Sequence, residues 1–215
     1  MPFKDDLVSL LKKDLFPLPS TALLFNQYKD INPEFDLPEA AKIRRENLVR
    51  YIEEFKKRPG ILLVGEAAGP WGCRFSGIPF TSEKQLVTGT LPFRGKQSSI
   101  RTSPHSEASG TVIWGELAEF YPEFLIWSAV PLHPHKPEDP LSIRTPSPAE
   151  VKEFSGLLEK IIAIVRPEKI VAVGRCAERA LASLGAPCSY VRHPSQGGAA
   201  EFRREIKKLL KADRS

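Results

Sequence analysis

The rhythm of apolar and polar positions changes near residue 60 of this 215-residue chain. Before it, apolar residues recur at helical spacing. Phe3, Leu7, Leu10 and Leu11 form the first such set, and LFPLPS ends it with prolines. A second short segment, TALLFNQYKD, precedes the Asn32-Pro33 break. Residues 39–58, EAAKIRRENLVRYIEEFKKR, predict the clearest early helix, with Ile43, Leu48, Tyr51, Ile52 and Phe55 as its apolar stripe. Arg44, Arg45, Lys56, Lys57 and Arg58 read as its solvated face, and Pro59-Gly60 stops it.

Beyond residue 60 four short apolar runs appear: ILLVGE (61–66), FLIWSAV (124–130), KIVAVG (169–174) and CSYVRH (188–193). Three are near-continuous rather than alternating, the pattern of central parallel strands covered on both faces. Helical patterns separate them. In 148–165 Val151, Phe154, Leu158, Ile161, Ile162 and Val165 share one face, with Pro146 and Pro148 near the start. A short helix is expected over 176–184, and FRREIKKLL (202–210) closes the chain. This alternation predicts one α/β domain over 1–215, a helical part (1–58) preceding a core (60–212). The stretch 89–110 follows neither period; a flap over a site and a surface excursion are equally good readings. No internal repeat occurs.

Composition narrows the classes only modestly. Hydrophobic residues at 41% suffice for a core, and twenty prolines favour long ordered loops. A net charge of +5 leans toward a polyanionic partner. No apolar run reaches about 18 residues, and the acidic MPFKDDLVSL does not resemble a secretory signal, so a cytoplasmic, nucleoid-associated location is expected. Cys73, Cys176 and Cys188 lack metal-site spacing and read as reduced, packed thiols.

In an open parallel sheet, ligands bind beyond the carboxyl ends of the strands. Three polar clusters fall there: Glu66, Ser128 to His135, and His193-Pro194-Ser195. Glu66 suits the orientation of a water or the stabilisation of positive charge; the bland alternative is a cap on the next helix. His193 suits donation to a developing oxyanion, or acid–base work; the alternative is a satisfied loop histidine. His133 and His135, among Pro131, Pro134 and Pro137, read as a rigid loop rather than a metal site. GxGxxG, GxxxxGK[ST] and GxSxG are all absent.

GEAAGPWG with GIPF, FLIWSAV, IRTPSPAE before a helix and HPSQGG after the last strand together resemble the uracil-DNA glycosylase superfamily. The order and spacing run through most of 60–212, nearest to the thermostable bacterial and archaeal branch. The resemblance implies a three-layer sandwich around a four-stranded parallel sheet, with a pocket for a base flipped out of DNA. It implies that Glu66 positions water, Phe80 stacks on the base and His193 faces a base oxygen, with Gly65, Ala67 and Ala68 lining the pocket. It also implies that Pro194 to Ala199, including Ser195, Gln196 and Gly197, presses on the minor groove. Arg74, Arg94, Lys96, Arg192 and Arg203 are candidates for phosphates.

Three departures stand out. The chain lacks the four cysteines of the iron–sulfur branch, so no cluster and no other cofactor is expected. Ala68 stands where the motif carries proline. Ser128 stands where the family reads the base edge with asparagine; a hydroxyl is one short rotor in place of a planar donor–acceptor pair. The expectation is a monomeric, monofunctional DNA glycosylase acting on uracil or a related deaminated base. A nucleic-acid-binding relative with lost catalysis is the alternative, and a nucleoside hydrolase the third reading.

Overall fold

The apolar runs become strands because each carries an uninterrupted set of side chains that only a sheet covered on both faces can bury. The protein is described by a computed structural model over residues 2–211; Met1 and residues 212–215, part of the expected spans, lie outside the described residues. Helix α1 (Pro2–Asp14) buries Phe3, Leu7 and Leu11, as its periodicity predicts. TALLFNQYKD contains a two-residue strand, β1 (Leu24–Phe25). Helix α2 (Ala40–Glu53) follows, ending five residues short of the expected Arg58.

The central strand β2 (Ile61–Ala67) leads into two short helices, α3 (Cys73–Ser76) and α4 (Glu83–Thr88), and then α5 (Ala108–Leu117). Strands β3 (Phe124–Val130) and β4 (His133–Pro134) precede α6 (Pro148–Val165). Ser147 and Glu150 form a capping box on α6, and Pro148 occupies its first turn, where no amide partner is needed. Strand β5 (Lys169–Val173), α7 (Arg175–Ser183), β6 (Ser189–Val191) and α8 (Ala199–Lys211) complete the order.

The result is a three-layer α/β sandwich. Its four strands are all parallel, in the order β3-β2-β5-β6, and β1 pairs antiparallel with β4 in a separate two-stranded ribbon. Helices α6 and α7 pack against each other and on the sheet, and α5 packs on α8. The chain leaves β2 toward β3 on one side and returns as β5 on the other, so the sheet order reverses beside β2. Such a switch point opens a crevice at the strands' carboxyl ends.

Two expectations about arginines change. Arg44, read as part of a solvated face, is fully buried, because α2 is covered on that side by the 26–36 segment. Its guanidinium meets the buried carboxylate of Asp36 and the hydroxyl of Ser98. Arg74, expected at DNA phosphates, is also buried, and grips Asp36 with two parallel hydrogen bonds of 2.9 Å. Asp36 thus serves two guanidiniums, and neither is available to a partner.

The 89–110 stretch is held rather than loose. Buried Glu83 accepts the amides of Ser98, Ser99 and His105 at 2.6, 2.8 and 3.2 Å, and the Ser99 hydroxyl at 2.7 Å. Only its last residues approach the crevice.

Candidate active site

At the end of β2 the side chain of Glu66 turns toward β5 and α7. Its Oε1 accepts the amide of Cys176 at 3.2 Å, and Gly174, at φ +94°, has no side chain to obstruct it. The helix-capping reading of Glu66 and the reading as a site acid are therefore compatible: one helix-end amide fixes the carboxylate's direction while the residue still lines a cavity. That cavity holds about 170 Å³ and is walled by Glu66, Ala67, Ala68, Phe80, Glu107 and His193, among others.

Phe80 reaches the wall in a left-handed conformation, φ +51°, that few non-glycine residues adopt. Its ring lies on Gly65, where any Cβ would collide with the ring edge. The two centroids of Phe80 and His193 are 5.5 Å apart, with the rings tilted by 45°. Ser128 is in register with Gly65 on the neighbouring strand, so the two positions share one sheet face. It is buried behind the wall, and the cavity lining runs through Ala67 and Ala68 instead.

His193 has a defined tautomer. The Ser195 amide donates to its Nδ1 at 3.1 Å, and the Ser195 hydroxyl lies 2.7 Å from the same nitrogen. A nitrogen that accepts an amide proton carries none of its own, so the neutral ring bears its proton on Nε2. Burial holds the imidazolium form below its ordinary range, aided by the Arg192 charge and opposed by Glu66. The site therefore presents a neutral N–H donor near pH 7.

The loop after His193 is shaped by Gln196 at φ +50° and Gly197 at +78°. Ser195 and Gln196 line the cavity and Gly197 stands exposed beyond it. The other expected phosphate contacts are scattered. Arg94 and Lys96 are exposed, with Lys96 3.5 Å from Glu46 of α2; Arg192 is half-buried; Arg203 pairs with Glu116 at 3.2 Å.

The wall also contains residues that the sequence did not assign as site groups, His133, Ile143, Arg144 and Glu107 among them. His133, read as part of a rigid loop, is fully buried with its ring nitrogens 2.9 Å from the Ala68 carbonyl and 3.1 Å from that of Pro140. Burial pushes it down to about 4. Arg144 is locked onto Glu150 by hydrogen bonds of 2.9 and 2.6 Å, and Ile143 beside it is 75% exposed on the rim. Glu107, just before α5, folds back against Gly69 and Gly72. The acid in HSEASG at a helix start was its only signal in the sequence.

The family model described as the uracil DNA glycosylase superfamily matches residues 52–211. The chain belongs to the uracil-DNA glycosylase superfamily. Among solved structures it is similar to wild-type SMUG2 of Pedobacter heparinus, at a TM-score of 0.66 and 21% identity over 99% of this chain and 97% of that one. No curated protein matches it. For a member of this superfamily, the carboxylate, the neutral histidine and the aromatic ring fall on one wall at the sheet's switch point. No helix among the described residues is long and apolar enough to cross a membrane.

Proposed function

We propose that the protein is a monofunctional DNA glycosylase that draws uracil or a related deaminated base into the cavity and hydrolyses its N-glycosidic bond. One observation carries this reading: Glu66 and His193 line the same small cavity as the ring of Phe80. About 170 Å³ is well below the roughly 300–1,000 Å³ of a drug-sized pocket, and suits one planar base rather than a nucleotide.

Cleavage sends the C1′–N electron pair to the base and leaves positive charge on the sugar. His193 donates its Nε2 proton as a hydrogen bond to the base oxygen that gains charge. Glu66 orients the water that adds to C1′ and takes up its proton. Phe80 holds the flat face of the base, which must leave the helical stack to enter. No lysine lines the cavity among the described residues, so nothing there favours a Schiff base and strand cleavage. The DNA backbone meets Arg94, Lys96 and Arg192, while Ser195, Gln196 and Gly197 face the minor groove.

A superfamily relative that binds DNA without efficient chemistry is the second reading, and Ser128 is what favours it. The deciding test is base release from labelled single- and double-stranded oligonucleotides bearing one uracil, hypoxanthine or xanthine. Glu66→Gln is expected to lose about 10²–10⁴ in rate, and His193→Ala about 10²–10³. Tight DNA binding with no release from any substrate would overturn the enzyme reading in favour of the second.

A further inference from the structure

The cavity wall contains a second acid that the chemistry above does not use. Glu107 is half-buried as a residue, yet its Oε2 is sealed from solvent and has no hydrogen-bond partner. Its carboxyl group is pressed against Gly69 and Gly72, where a methyl group would strike it. The chain thus keeps two neighbouring positions bare to make room for this group. An unpartnered buried oxygen is destabilising by roughly 1–3 kcal/mol in most folds, so it calls for a partner that arrives from outside.

The charged and titratable groups around it offer no neutralising pair. Glu66, His193, His133 and Arg144 share the cavity lining with it. Arg144 is already committed to Glu150. Cys73 of α3 lies close enough for Glu107 to contribute to the rise of its thiol to about 12, which burial dominates. Among the described residues no ion pair reaches Glu107, and burial pushes its carboxyl up to about 7. A large share of the protein at neutral pH therefore holds an undissociated acid there.

We propose that Glu107 reads the flipped base as an undissociated carboxylic acid, donating a hydrogen bond to a ring carbonyl. The proposal rests on the reading of the cavity as a base pocket and names what distinguishes its substrates. Deamination replaces an exocyclic amino donor by a carbonyl acceptor, as in uracil, hypoxanthine and xanthine. Recognition of that change needs a donor on the protein, and a protonated carboxyl supplies one. The terminal torsion of a glutamate is soft, so either oxygen can turn toward the base. The ionised form would set an anion against the carbonyl and repel it.

The test separates base reading from chemistry by using the full chain with Glu66→Gln as the background, which also removes Glu66 from the titration. Anisotropy would measure its preference for duplexes carrying uracil, hypoxanthine or xanthine over an undamaged duplex, from pH 6 to 9. Glu107→Gln and Glu107→Ala would be added in turn, with thermal melts to verify folding. The background is expected to lose lesion preference as pH rises through about 7. Burial holds His193 below its ordinary range and pushes Cys73 up to about 12, so neither is placed to produce a transition through about 7. Added Glu107→Gln keeps a permanent N–H donor and should keep the preference without the pH dependence. Added Glu107→Ala should lose about tenfold at pH 6.5, the effect of one hydrogen bond.

Full preference after Glu107→Ala, no lesion preference in the background, or pH dependence that survives Glu107→Gln would each overturn the proposal. Base release by the wild type is scored separately. Absent release with a Glu107-dependent preference would sink the glycosylase reading and leave this one standing; normal release with a Glu107-independent preference would do the reverse.

Discussion

Phe80 and Gly65 define each other. A phenylalanine at φ +51° carries about 1–3 kcal/mol of backbone strain, which persists only where surroundings over-determine it. Here the ring is pinned over a strand position that has no side chain. Gly65→Ala is expected to drive the ring off the sheet and into the cavity. Overpacking of this kind destabilises by about 1–3 kcal/mol, and base release should fall tenfold or more while the protein still melts cooperatively. Unchanged release at saturating substrate would show that the ring's seat on the sheet is immaterial. Sequence legibility at this scale was uneven. Glu66 and His193 could be named because they lie in short motifs at strand ends, and Phe80, between α3 and α4, because GIPF belongs to the motif that carries the resemblance. Arg74 misled because its partner, Asp36, lies 38 positions away, in a segment whose path no local pattern reveals.

At the scale of elements, β2, β3, β5 and α6 were legible almost to the residue, since each carries its own pattern and its own stop signals, whereas β6 spans only Ser189–Val191 of the expected 188–193. Helix α5 was not legible, because its sequence, ASGTVIWGEL, mixes small and β-branched residues with only a weak apolar stripe. The β1–β4 ribbon was invisible too; two residues on each side are too few to show alternation. His133 sits on that ribbon between the carbonyls of Ala68, at the end of β2, and Pro140, in the 136–147 loop; the neutral ring has one N–H and donates to one of the two.

This gives the ribbon a pH dependence with a definite sign. The folded-state value, about 4, lies below the ordinary 6.5. Above pH 6.5 neither folded nor unfolded chain takes the proton, and the histidine contributes nothing. As pH falls from 6.5 toward 4 the unfolded chain binds a proton that the folded one refuses, and stability drops by up to about 3 kcal/mol. Urea midpoints measured at pH 7, 5 and 4 should fall more steeply for wild type than for His133→Asn. Equal slopes would contradict the assignment.

For the whole molecule, the family match begins at residue 52, after α1 and nearly all of α2. That boundary suggests an accessory N-terminal part. The carboxylate of Asp36 argues otherwise, since it neutralises Arg74 inside the matched region and Arg44 outside it. Removing one partner of such a buried cluster typically destabilises by about 3–5 kcal/mol, a large fraction of what holds a domain together. A chain starting at residue 52 would lack both Asp36, the carboxylate that Arg74 grips, and the segment that covers the pair, leaving an apolar surface and a cation with only Glu83 as a nearby acid. It is expected to be insoluble or to melt without a cooperative transition, whereas Asp36→Asn in the full chain should lower the melting temperature and leave a single transition. The stretch that must fold together is therefore longer than the stretch that the family model matches, and grafting residues 52–211 alone would transplant the chemistry without its keystone.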